Sequence, residues 1–190
     1  MKKLVFPIAL FICFFSFGQN NFELGNYTKL IYKGIEFKYK NPLSPFLKTE
    51  ESHSSQGNTN LVTAFYARIS DEIFALQIYA TTVPPKFENL DWKLIINSDE
   101  VSKKFLDSFL LGTNKNTAMK ISSFNVKTIN GKVFLEVQST ITTSGLTQKQ
   151  INWITVYKNT FVNILGATFI DSFDKNLYFF TEFSHSVLIN

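Results

Sequence analysis

Ile121-Ser122-Ser123-Phe124-Asn125-Val126-Lys127-Thr128-Ile129-Asn130-Gly131-Lys132-Val133-Phe134-Leu135-Glu136-Val137-Gln138 is the stretch that decides the fold class. Asn130-Gly131 suits a two-residue type I′ turn, because both central residues of that turn take positive φ. Beyond it, Val133, Leu135, Val137 and Ile141 alternate with Lys132, Glu136, Gln138 and Thr140. Alternation with period two places neighbouring side chains on opposite faces of a strand, so the stretch predicts a hairpin of residues 121–129 with 132–142. Ser144-Gly145 turns the chain into a strand over 150–157, and Lys158-Asn159-Thr160 turns it again into 161–169. Four strands in succession with short turns form an antiparallel meander.

Upstream the same period recurs. In Gly34-Ile35-Glu36-Phe37-Lys38-Tyr39-Lys40, the side chains of Ile35, Phe37 and Tyr39 share one face until Asn41-Pro42 stops the ladder. Residues 61–69 and 73–83 read as a hairpin around Ser70-Asp71-Glu72, ended by Pro84-Pro85, since proline has no N–H to donate. The polar segment from Lys48 to Asn60 reads as a loop. Two segments have helical spacing. Asn97 caps the first, Asp99 and Glu100 occupy its first turn, Val101, Phe105 and Phe109 form its apolar stripe, and Gly112 closes it. The second runs from about Asp174 with Leu177, Phe180, Phe183 and Val187 on one face, and a weak helical turn is signalled over 89–96. Strands in antiparallel groups with a few helices predict an α+β domain.

Composition and the N-terminus set the surroundings. Lys2 and Lys3 precede an apolar run from Leu4 to Phe17, and Ser16-Phe17-Gly18 places small residues before Gln19, the pattern of a cleaved export signal over residues 1–18. The run is shorter than the roughly 20 residues a membrane-spanning helix needs, so no stable anchor is expected after cleavage. Cys13 follows Ile12 rather than the small residue that lipidation requires. One domain over residues 19–190, exported to the periplasm or beyond, is the expectation. With the signal goes the only cysteine, and with it any disulfide or thiolate. Without Lys2 and Lys3 the 19 basic residues fall to 17, against 15 acidic, a net charge of +2. Arg68 is the only arginine. Neither feature belongs to a nucleic-acid binder, which needs a basic footprint and arginine's planar fork.

The order of elements, the Asn41-Pro42 step after the early strand, the paired strands around Asp71, and the strand Ile151-Asn152-Trp153-Ile154-Thr155-Val156-Tyr157 leading through 161–169 into a terminal helix resemble the Mog1/PsbP-like fold and small exported bacterial proteins related to it. The resemblance spans nearly all of residues 19–190 and rests on pattern rather than a diagnostic motif. It implies a central antiparallel β-sheet flanked by helices, an α/β/α sandwich, and an accessory or binding protein rather than an enzyme. It carries no functional residue over to this chain.

The catalytic inventory is thin. His53 and His185 are the only histidines, are not spaced for joint ligation, and have no thiolate to join them, so no metal and no cofactor are expected. There is no Gly-x-Ser-x-Gly elbow and no glycine-rich phosphate loop. The acid pairs Glu50-Glu51, Asp71-Glu72 and Asp99-Glu100 sit in a loop, a turn and a helix cap, while Glu136 falls mid-strand on a polar, solvated face. The aromatics offer more, because tyrosine and tryptophan join apolar area to a polar tip. Trp153, Tyr157 and Tyr79 are the candidate ligand-binding residues, with Trp92 and Tyr66 beside them and the wall placed on the face carrying Trp153 and Tyr157. The expected function is non-catalytic binding of a protein partner or a small apolar ligand on a sheet face. The alternatives are a carboxylate-dependent envelope hydrolase and an envelope assembly or stress factor.

Overall fold

The structure is a computed structural model that describes residues 22–49, 59–84, 87, 89, 91–109, 118–143 and 145–190. The export signal, most of the loop over 48–60 with Glu50, Glu51 and His53, and Gly112 lie outside the described residues. The elements in chain order are β1 (Leu24–Tyr32), β2 (Ile35–Pro42), β3 (Leu47–Thr49), β4 (Thr59–Ile69), β5 (Glu72–Thr82), α1 (Trp92–Ile96), α2 (Asp99–Phe109), β6 (Ala118–Ile129), β7 (Lys132–Thr143), β8 (Leu146–Tyr157), β9 (Thr160–Phe169), α3 (Ile170–Ser186) and β10 (Leu188–Ile189). The fold is α+β and its strand pairs are antiparallel.

The meander forms as expected. Asn130 and Gly131 take φ of 50° and 73°, and Lys158 and Asn159 repeat the two-residue left-handed turn at 47° and 56°. Each turn lets its strands pair from the first residue, Ile129 with Lys132 and Tyr157 with Thr160. Strand β5 then pairs with β9 to complete a sheet in the order β3-β4-β5-β9-β8-β7-β6.

A second sheet, β1-β2-β10, was not anticipated. The early strand belongs to it rather than to the large sheet. Strand β1 carries the charged and polar residues Asn26, Thr28 and Lys29 among its apolar ones, which blurs its alternation. Strand β10 has only two residues, too short for any period. It exists because the chain beyond α3 meets β2: Asn190 donates to the Glu36 carbonyl at 2.9 Å and accepts from the Glu36 N–H at 3.1 Å. Val187, expected on the helix face, instead lies just past the end of α3 and leads into this strand.

Helix α3 starts at Ile170, earlier than expected, without a side-chain cap at Phe169. Its face of Phe173, Phe180 and Phe183 is fully buried with Ile78, Trp153 and Ile164 of the large sheet and Ile35, Phe37 and Tyr39 of the small one. Burying each such side chain contributes about 1.5–3 kcal/mol. Close approach depends on Gly166, where an added Cβ would meet Phe180 Cγ at 2.6 Å and Cβ at 2.8 Å. The opposite sheet face receives α1 and α2, with Ile95, Phe105 and Leu106 packed among Leu135, Val137, Ile154 and Phe161. Asp91 caps α1, its Oδ1 accepting from the Lys93 and Leu94 N–H groups at 2.9 and 3.4 Å. Asn97 is not the cap of α2. It closes α1, and Ser98 takes the capping position, its Oγ accepting from the Val101 N–H at 3.5 Å.

Candidate functional site

Cross-strand register settles where the aromatic residues lie. Trp153 pairs with Ile164, which pairs with Ile78, whereas Tyr79 pairs with Asn163, which pairs with Ile154. Trp153 and Tyr79 therefore point to opposite faces of one sheet. Parity along a single strand could not reveal this, because it depends on which residues of β5, β9 and β8 stand opposite one another.

The face with Trp153 and Tyr157 is the one under α3. Trp153 is fully buried, and its Nε1 donates to Glu136 Oε2 at 2.9 Å. No part of its ring is open to a ligand in this arrangement. Tyr157 is half-buried, with the Lys132 ammonium 4.0 Å and the Lys158 ammonium 5.0 Å from its ring centre. Glu136 departs from the solvated position expected of it. It is half-buried because α3 and its neighbours cover this face, and it serves as the acceptor for the buried indole.

Tyr79 belongs to a polar row across the other face. Its phenol donates to Gln77 Oε1 at 2.7 Å, and Gln77 Nε2 donates to the Tyr66 hydroxyl. Burial, with Tyr66 adding to it, pushes the Tyr79 phenol up to about 12, so it stays a neutral donor. The row continues through Asn163, whose Nδ2 donates to Asn152 Oδ1 at 2.9 Å, to Gln150, whose Nε2 donates to Ser139 Oγ at 3.0 Å. Asn152 Nδ2 and Asn163 Oδ1 are buried without a hydrogen-bond partner. Amides and phenols of this kind can donate and accept hydrogen bonds, and here they do so chiefly with one another. They supply no nucleophile and no group that takes a proton near neutral pH.

Beyond Ser139 the same face turns apolar and opens. Between α2 and β6 lies a groove of about 510 Å³, lined by Leu106, Met119, Ile121 and Phe124, with Lys103, Asp107 and Lys120 at its margins. The bulge in β6 between Ile121 and Ser123 puts Met119 and Ile121 on the same face as Phe124. Sequence reading missed this groove, since Leu106 sits on a helix and its partners lie on both sides of a bulge that shifts the strand's alternation. Among the described residues no group of three or more His, Cys, Asp or Glu side chains could hold a metal ion, and no helix is long and apolar enough to cross a membrane.

No family model and no curated protein sequence matches the chain. Solved structures do. The cyanobacterial PsbP (CyanoP) of Synechocystis superposes with a TM-score of 0.60 at 11% identity, covering 86% of this chain and 92% of that one. A Pseudomonas aeruginosa protein of unknown function, PA94, described as a putative regulator, superposes at 0.52 with 9% identity, covering 86% and 97%. LpqN of Mycobacterium tuberculosis, involved in cell envelope biogenesis, covers 90% and 93% at 11% identity, but its TM-score of 0.43 is too low to bear on this chain. The order and pairing of strands, with a long helix after the meander, are thus those of the Mog1/PsbP-like fold.

Proposed function

We propose that this chain is an exported, non-catalytic binding protein that takes an apolar ligand, or an apolar part of a partner protein, on the large-sheet face opposite α3. The groove between α2 and β6 carries the reading: Met119, Ile121 and Phe124 present apolar surface in a concave site backed by the buried Leu106, the usual form of a small-molecule pocket. The polar row from Tyr79 to Ser139 lies on the same face, with Ser139, Gln150 and Asn152 buried, and its hydrogen bonds tie together the strands behind the groove. Export rests on the signal over residues 1–18. The absence of catalysis rests on the lack of a nucleophile–base pair in the sequence and on Glu136 being engaged by Trp153.

Titration with a fluorescent apolar probe tests this. One saturable site per chain is expected, abolished by Ile121→Asp or Met119→Asp while the fluorescence of buried Trp153 stays native. Binding that is unsaturable, or indifferent to both substitutions, overturns the groove. Hydrolysis of an ester, peptide or glycoside that disappears with Glu136→Gln or His53→Ala overturns the non-catalytic reading.

A further inference from the structure

We propose that the outer face of the small sheet, continued over the β1–β2 turn to the β8–β9 turn, docks on an anionic lipid surface. This inference is independent of the groove. Register fixes the face: Tyr27 stands opposite Lys40, Lys29 opposite Lys38, and Ile31 opposite Glu36. Ile35, Phe37 and Tyr39 point the other way into the core at 0–1% exposure, so these pairs point outward. Ile31 is 65% and Tyr27 46% exposed.

The charges on this face are poorly arranged for folding alone. Like charges directly opposite across two strands destabilise the pair, and Lys29 faces Lys38. Glu36 takes an ion pair from Lys29. Lys38 adds a weaker pull on Glu36 without a contact ion pair and lies 4.9 Å from the Tyr27 ring, which Lys40 approaches from 5.6 Å. Lys40 also borders a groove with Glu23 and Glu182, so the excess positive charge lies toward the turn. There Lys33 adds a cation, 5.6 Å from the Tyr32 ring centre and 3.4 Å from Thr82 Oγ1. Thr82 pairs with Thr160, and Thr160 with Tyr157, whose ring is approached by the Lys132 and Lys158 ammonium groups. The basic surface thus runs from Lys38 through Lys29 and Lys33 to Lys158 and Lys132. Among the described residues Lys33, Lys38, Lys132 and Lys158 make no ion pair.

A lipid surface fits this arrangement better than a discrete anion or an acidic protein. The lysines are spread along a sheet face and its turns instead of converging on a point, and lysine serves as a compact charge without arginine's bidentate fork. Lysine stems and tyrosine rings join an apolar body to a polar tip, which suits them to a membrane boundary. Ile31, exposed among them, adds apolar area that a purely electrostatic partner would not require.

Co-sedimentation of the exported protein with vesicles tests the proposal, using equal parts phosphatidylglycerol and phosphatidylcholine against phosphatidylcholine alone. Binding to the mixed vesicles at low salt is expected, with release as salt approaches about 1 M, where the screening length falls to roughly 3 Å. Each basic residue near an anionic surface is worth about fivefold in affinity. The triple variant Lys29→Gln, Lys33→Gln, Lys38→Gln should therefore bind on the order of a hundredfold more weakly. A second triple, Lys33→Gln, Lys38→Gln, Lys158→Gln, keeps the Lys29–Glu36 pair and should behave alike. Lys48→Gln, Lys93→Gln, Lys104→Gln, on β3, α1 and α2 and outside this face, should bind as the native protein does. Failure to bind the mixed vesicles, equal binding to both vesicle types, or basic-face variants no weaker than the control overturns the proposal. Retention by soluble polyglutamate without vesicle binding overturns it too, and assigns the surface to an acidic protein.

Discussion

Replacing Gly166 with alanine tests the packing on which the fold depends. The new Cβ would lie 2.6 Å from Phe180 Cγ and 2.8 Å from Phe180 Cβ and Cδ1, where ordinary contact begins at 3.4 Å. These atoms sit close to the α3 backbone, so turning the end of a side chain cannot relieve the clash. Either α3 retreats by up to about an ångström or Phe180 leaves its rotamer, and overpacking of this kind costs roughly 1–3 kcal/mol. Against it stands the usual gain of about 0.4–1 kcal/mol when alanine replaces glycine at a compatible backbone conformation, which applies because Gly166 does not have positive φ. The expected net loss is about 1–2 kcal/mol, or roughly 3–6 °C in Tm for a domain of this size. Urea unfolding followed by the fluorescence of buried Trp153 measures it. Combining Gly166→Ala with Phe180→Leu should cost less than the two single changes added together, since the smaller side chain leaves room for the methyl group. A Gly166→Ala protein as stable as the native one, or strict additivity in the pair, would refute the account of how α3 meets β9.

Other expectations concern single groups. Glu136→Leu leaves the Trp153 N–H buried without an acceptor and should cost about 1–3 kcal/mol in urea unfolding, whereas Glu136→Gln, which keeps an acceptor oxygen, should cost less. Tyr79 has its folded pKa raised to about 12 from 10.0. Absorbance titration should therefore find a phenol that ionises near pH 12, a step lost in Tyr79→Phe. Because the folded state holds this proton more tightly, the contribution is complete below pH 10.0 and lost as pH rises toward about 12, so Tyr79→Phe should flatten the alkaline limb of the stability profile. Glu36 is shifted the other way, its carboxyl held below 4.5 chiefly by its hydrogen bond from Lys29. Its contribution is present above pH 4.5 and fades as pH falls through the lower folded value, so Glu36→Gln should show a shallower acid limb in the same unfolding measurement.

The sequence by itself determined the local objects. Asn130-Gly131 and Lys158-Asn159 set tight turns, and alternation on either side set the strands of the meander, because turn geometry and strand period are properties of a few neighbouring residues. The apolar faces of α2 at Phe105 and of α3 at Phe180 and Phe183 were legible for the same reason. What only the tertiary structure decided was pairing at a distance. Residues 188–189 become a strand solely because α3 delivers them to β2, and β1 and β2 leave the large sheet to close over α3's other side. Trp153 and Tyr79 were read as neighbours from residue type, but they face opposite ways, since the β5–β9–β8 register joins even to odd positions and no single strand records that. The groove of Leu106, Met119, Ile121 and Phe124 and the basic surface from Lys38 to Lys132 were hidden likewise. The groove joins a helix to a bulged strand whose faces no single period records, and the basic surface gathers residues from elements far apart in sequence that only the packed sheets bring together.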